Sequence, residues 1–188
     1  MTRHTDVERR ERALSVTSDT TVLAIDPGST YSAFVVYRWG KVVMFGRETN
    51  ADLLAWLAIN RNRNRHNVIE WTAPRGMPAS MELFETMWWA GRFAQLLSEP
   101  SAVSAGSGPE LVLRLQRSAV KRYLCGTSAA KDTNVHAALI DRFGGAGGKE
   151  AAVGRKASPG PLYGIVRDVW AALAVAVTYA DQPDLAAP

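Results

Sequence analysis

The segment Thr21 to Tyr37, TVLAIDPGSTYSAFVVY, limits the possible folds more than any other part of the chain. Val22-Leu23-Ala24-Ile25 carries no charge and reads as a buried strand, and it delivers a carboxylate, Asp26, into a turn made by Pro27 and Gly28. The chain then resumes with Phe34-Val35-Val36-Tyr37, so the two runs predict an antiparallel hairpin whose connection is rich in small hydroxyl and glycine residues. An acid at a strand end is well placed for metal or phosphate chemistry. The same acid can also do no more than accept backbone N–H groups in the turn.

The following segments repeat the theme. Lys41 to Phe45, behind a Trp39-Gly40 turn, predicts a third strand, and Asn50 is a candidate cap for a helix through Leu57. The basic run from Arg61 to Asn67 reads as the solvated end of that helix, with phosphate contact as the alternative. Asn67-Val68-Ile69-Glu70-Trp71 then predicts a short strand that again brings an acid, Glu70, to a turn-rich segment. From Ala79 to Leu97 a helical pattern places Met81, Phe84, Trp88, Gly91 and Gln95 on one stripe, with Met87, Ala90 and Ala94 beside it. Trp88 and Trp89 are adjacent and must point in different directions, which suggests a second apolar face.

Glu110 to Leu115 predicts a fifth strand, followed by a helix from Ser118 to Gly126 and another from Ala129 or Ala130 to Phe143. The glycine- and lysine-rich stretch 144–160 reads as a mobile loop, and Ile165 to Ala180 as an alanine- and valine-rich helix whose only acid is Asp168. With 188 residues the chain fits one domain, expected over 20–182, with a tail at 1–19 and a shorter one at 183–188. The net charge of +4 favours a polyanionic partner only mildly. Cys125 is the sole cysteine, which excludes an intrachain disulfide and a cysteine-cage zinc site. No apolar run is long enough to span a membrane, so a cytoplasmic location is expected.

This element order, with acids at the ends of the first and fourth strands and at the start of the last helix, predicts that Asp26, Glu70 and Asp168 converge. Clusters of oxygen donors suit Mg²⁺ or Mn²⁺, and a pair of such ions can drive phosphodiester hydrolysis. Taken together, AIDPGSTYSAFVVY, VIEW, SAVKRYLCGTSAAKDTNV and RDVWAALAVAVTYA resemble the RuvC-type Holliday junction resolvases of the RNase H-like superfamily, in a phage-like variant. The resemblance implies an α/β fold with a five-stranded mixed sheet flanked by helices. It further implies a homodimer through the helix 79–97, dependence on Mg²⁺ with Mn²⁺ as a substitute, and paired nicks in a branched DNA, the four-way junction. By the same resemblance, catalytic and metal-binding roles fall on Asp26, Glu70 and Asp168, with Lys121 and Lys131 near the scissile phosphate and Lys121 counted as catalytic. DNA contacts fall on Lys121 and Lys131, with Arg114, Arg117 and Arg122 completing a dense basic segment and Arg75 a candidate for the junction centre.

In that family the last helix commonly carries a second acid one turn after the first, and the matching position here is Ala171. A residue three positions on shares a helix face, so the metal site is expected to lack one ligand. Water, a substrate phosphate or Asp132 could take that place. Two other readings compete: a junction-binding protein without cleavage, motivated by Ala171, and an actin-like ATPase or sugar kinase. The second is suggested by Asp-Pro-Gly-Ser-Thr, but such enzymes need two domains of this kind. His4 and His66 show no metal-ligand spacing, and His136 reads as an ordinary helix residue.

Overall fold

The computed structural model of the protein describes residues 20–60, 65–72, 79–99 and 111–187. Its main sheet has the order β3-β2-β1-β4-β5, with β1 at Thr21–Asp26, β2 at Tyr31–Arg38, β3 at Lys41–Thr49, β4 at Arg65–Trp71 and β5 at Val112–Gln116. β1, β2 and β3 form an antiparallel meander, whereas β4 and β5 run parallel to β1, giving the mixed sheet expected. The helices are α1 (Asn50–Ile59), α2 (Met81–Ser98), α3 (Arg117–Cys125), α4 (Asp132–Gly144), α5 (Gly148–Ala152) and α6 (Val169–Asp181).

Alternation along the strands sorts the side chains into two cores, one on each face of the sheet. Leu23, Ile25, Phe34 and Ile69 pack with Leu53 and Leu57 of α1 and with Ala90, Phe93 and Leu97 of α2. Val22, Ala24, Val68, Leu113 and Leu115 pack on the other face under α6, together with Val120 of α3 and Val135 and Leu139 of α4. α6 lies against the sheet through a nearly continuous buried run from Val169 to Tyr179. Its alanines and valines are short enough to allow that close approach. The turn between β2 and β3 is the two-residue loop Trp39-Gly40, with both φ angles positive (52° and 72°). That handedness matches the twist of the flanking strands.

Several expectations are corrected. Thr49, rather than Asn50, caps α1 by accepting from the Asp52 amide at 3.2 Å. Asn50 is buried inside the first turn and reaches back to the β1–β2 loop. α6 begins at Val169, since Arg167 adopts φ 51° and breaks the helix that apolar pattern alone extends to Ile165. The stretch 144–160 is ordered into a 3-10 turn, α5 and a small hairpin of β6 (Gly154–Arg155) and β7 (Ser158–Pro159). The backbone amides of Gly160 and Leu162 donate to the Val153 and Ala152 carbonyls, which ties this hairpin to α5. At the other end of the chain, Pro183–Leu185 forms a 3-10 turn and Ala187 pairs with Arg114 on β5. On α2, Met81, Phe84 and Trp88 are exposed, while the buried positions are Ala90, Phe93 and Leu97. The segments 1–19, 61–64, 73–78 and 100–110 and residue 188 lie outside the described residues.

One contact in the α6 core makes stability depend on pH. The Tyr179 hydroxyl is fully buried and lies 2.8 Å from His66 Nδ1, and burial lowers the His66 pKa below its usual 6.5. The unfolded chain therefore takes up a proton near pH 6.5 that the folded chain still refuses. Stability is complete above that value and falls as pH drops through it. Thermal melts from pH 7 to pH 5 should show a falling Tm, and His66→Gln, which keeps a hydrogen-bonding side chain but does not titrate, should flatten the fall.

Candidate active site

The acids of the site are the last members of inward-facing rows. On β1 the row is Val22, Ala24, Asp26, and on β4 it is Val68, Glu70; Ile25 pairs with Ile69, so the next residues, Asp26 and Glu70, are neighbours. On β5 the row Leu113, Leu115 continues into Arg117, the first residue of α3. Two carboxyls and a guanidinium thus meet where three parallel strands end under α6. Glu70 is 4% exposed in its side chain, and its Oε2 accepts from Arg117 Nη1 at 2.9 Å. Burial raises the Asp26 pKa well above the usual carboxylate range, and the adjacent Glu70, by charge and by a shared hydrogen bond, raises it further.

These residues line a cavity of about 290 Å³, together with Val120, Lys121, Asp132, Val135, His136, Arg167, Asp168, Ala171 and Ala174. Arg117 and Lys121 are four apart on α3, as are Asp132 and His136 on α4, so each helix turns one face to the cavity. Arg117 Nη2 and Lys121 Nζ both lie 3.0 Å from Asp132 Oδ1. Burial opposes ionisation of Asp132, but these two cations outweigh it and lower its pKa. Burial likewise opposes the Arg117 charge, and Glu70, Asp132 and Asp26 overcome that too, raising its pKa. His136 stacks on Trp170 with ring centroids 5.0 Å apart.

Asp168 stands at the start of α6 without capping its own helix; its Oδ2 instead accepts from Arg47 Nε at 2.7 Å. Arg47 belongs to β3 and pairs with Ala33 of β2, which pairs with Asp26. The small side chain of Ala33 leaves Arg47 room to lean across toward Asp168. Arg47 also rests over the exposed ring of Tyr31, 4.2 Å from its centroid. Among the described residues no group of three His, Cys, Asp or Glu side chains is arranged to hold a metal ion. Asp168 is ion-paired with Arg47, Asp132 with Arg117 and Lys121, and Glu70 with Arg117, and Asp26 and Glu70 form the close carboxyl pair.

Asp26, Glu70, Asp168, Lys121 and Arg117 therefore share one cavity. Lys131, at the N-cap of α4, and Arg122, in the last turn of α3, are exposed and do not line it. Arg114 lies on the opposite face of the sheet, 5.2 Å over the Trp71 ring, so the basic segment is divided between two faces. Arg75 lies outside the described residues. Sequence reasoning missed Arg47 and Arg167 and treated His136 as unremarkable. For His136 the signal was its four-residue spacing from Asp132, whereas nothing local marks Arg47, whose partner is 121 positions away.

No protein-family model and no curated protein matches the sequence. Solved structures do match its fold, and two of them align across 90% of this chain and 99% of their own. T. thermophilus RuvC in complex with a Holliday junction substrate aligns with a TM-score of 0.59 and 18% identity, and a second Thermus thermophilus RuvC structure with 0.54 and 19%. At such identity the likeness speaks for architecture: this chain has the RNase H-like fold of the RuvC resolvases.

Proposed function

We propose that the protein is a metal-dependent endonuclease that resolves four-way DNA junctions. The observation that carries this reading is the placement of Asp26, Glu70, Asp168 and Lys121 around one cavity at the strand ends of a RuvC-like sheet. The donors are carboxylate oxygens, with His136 stacked on Trp170, a set that suits Mg²⁺ or Mn²⁺. Asp26 and Glu70 would hold the ion, with Asp168 as a further ligand when it leaves Arg47. Bound there, the ion would supply a polarised water and a positive charge beside the phosphate.

The chain's own groups do the rest. Lys121 and Arg117 face the cavity and position a phosphate. A water oxygen gives up a proton to solvent and bonds to phosphorus as the ester bond to the leaving oxygen breaks, and the leaving oxygen takes up a proton from solvent, so that one water is divided between the two products. Burial of the carboxyl pair beneath α6 strengthens each of these electrostatic interactions. The exposed Met81, Phe84 and Trp88 on α2 give a dimer a contact surface, and two sites related by a two-fold axis match a substrate of similar symmetry. Lys131, Arg122, Arg114 and Arg75 then extend the DNA contact beyond the cavity, and residues 20–182 form the nuclease domain.

The test is cleavage of a synthetic four-way junction beside linear duplex, Y-fork and RNA–DNA hybrid, with Mg²⁺ or Mn²⁺. Symmetric nicks in the junction alone are expected. Tight junction binding without a nick under either metal would favour the second reading, a junction-binding protein without cleavage. Ala171, where a carboxylate on the wall of the cavity would otherwise stand, is the observation behind that alternative.

A further inference from the structure

We propose that the cavity takes a single divalent ion and that the Arg117 guanidinium holds the place a second would need; this rests on the nuclease reading above. Arg117 is fixed at both ends, to Glu70 through Nη1 at 2.9 Å and to Asp132 through Nη2 at 3.0 Å. Its guanidinium therefore spans the inner carboxyl pair and the outer acid, where a bridging cation would sit. Lys121 reinforces the outer end at 3.0 Å, and Arg47 matches Asp168 at 2.7 Å.

Charge and ligand supply agree. Asp26, Glu70, Asp132 and Asp168 line the cavity with Arg117, Lys121 and Arg167, and Arg47 reaches Asp168 from outside, so acidic and basic side chains are equal in number before any ion enters. One divalent ion leaves an excess of positive charge that substrate phosphates can absorb. Two would double it. A pair of ions also needs carboxylates to bridge and flank both, yet beyond Asp168 the α6 wall offers only Ala171 and Ala174, without an oxygen donor in their side chains. Arginine does not give up its proton, so Arg117 cannot yield its place by becoming neutral. A magnesium ion, in contrast, commonly makes do with one or two carboxylates plus phosphate oxygens, which is what the Asp26 and Glu70 pair supplies.

Mn²⁺ titrated into the full-length protein, with bound and free metal separated by EPR and the stoichiometry checked by calorimetry, reads this directly. Wild type and Arg117→Lys should bind one Mn²⁺ per chain. Arg117→Gln and Arg117→Met should bind two, with the broadened signal of neighbouring Mn²⁺ ions. A charge-neutral variant that fails to fold shows itself in the circular-dichroism melt, and the other then decides. Two ions in the wild type, or one ion in both neutral variants, would overturn the inference and leave the nuclease reading standing. No Mn²⁺ bound by any of the four proteins would overturn both.

Discussion

Asp26→Asn should abolish junction cleavage while raising the Tm of the metal-free protein. On the proposed nuclease reading, in which Asp26 would be a metal ligand, the loss of cleavage follows from its place in the inner carboxyl pair. A bound metal is worth several kcal/mol of transition-state stabilisation, so removing a ligand should cost at least about 10³-fold in rate. The gain in stability has a different cause. Asp26 is held under α6 beside Glu70, and both burial and that neighbour make its charge unfavourable. A neutral amide of nearly the same shape removes that repulsion. In a chain of this size each kcal/mol gained raises the Tm by about 2–4 °C. Kinetics and a thermal melt on one preparation check both halves. A variant that lost activity and also melted earlier would show that Asp26 is a structural acid instead.

Asn50→Ala should destabilise the fold by about 3 kcal/mol and lower the Tm by roughly 10 °C. Asn50 is buried, and its Nδ2 donates to the Gly28 carbonyl at 3.0 Å while its Oδ1 accepts from the Ser32 hydroxyl at 2.6 Å. Ser32 Oγ in turn accepts from the Gly28 amide at 3.2 Å, so the three residues close a small polar network around the loop that follows Asp26. Truncation leaves Gly28 O and the buried Ser32 hydroxyl each short of a partner. Gly28 cannot be replaced to compensate, because a Cβ there would stand 2.3 Å from the Tyr31 carbonyl oxygen. Asn50→Asp keeps the acceptor, loses the donor and buries a charge, and should cost at least as much as Asn50→Ala. Denaturant melts of the two variants test the order. The opposite order would show that keeping the bond from Ser32 outweighs the cost of the buried charge.

How much of this was legible in the sequence follows from how local each signal is. Asp26 and Glu70 could be read because each ends an apolar run and precedes a turn, and strand alternation then carries both onto one face. Asp168 stood out as the only acid of the apolar run from Ile165 to Ala180. The cations that neutralise these acids were less legible. Arg47 meets Asp168 only because β3 lies two strands from β1 and Ala33 is small, facts of pairing rather than composition. Arg114 looked like a companion of Arg117, yet period-two alternation puts three-residue neighbours on opposite faces. The glycine-rich 144–160 segment misled for another reason. Its glycines permit close packing, as at Gly160, where a Cβ would stand 2.5 Å from the Ala151 and Ala152 carbonyl oxygens. Composition there pointed to freedom where the backbone needed space.

The inward rows that end in Asp26 and Glu70 also determine which changes in chain length the protein tolerates. A residue inserted within Thr21–Asp26 would rotate the acid to the α1 and α2 side of the sheet while leaving its neighbours in sequence unchanged. The same insertion in the connection between α1 and β4 would leave both acids in place. The strands therefore work as a ruler that sets where the two cavity carboxyls stand, and length variation among working versions of this chain should be confined to the connections, with the spacing from Thr21 to Asp26 held fixed.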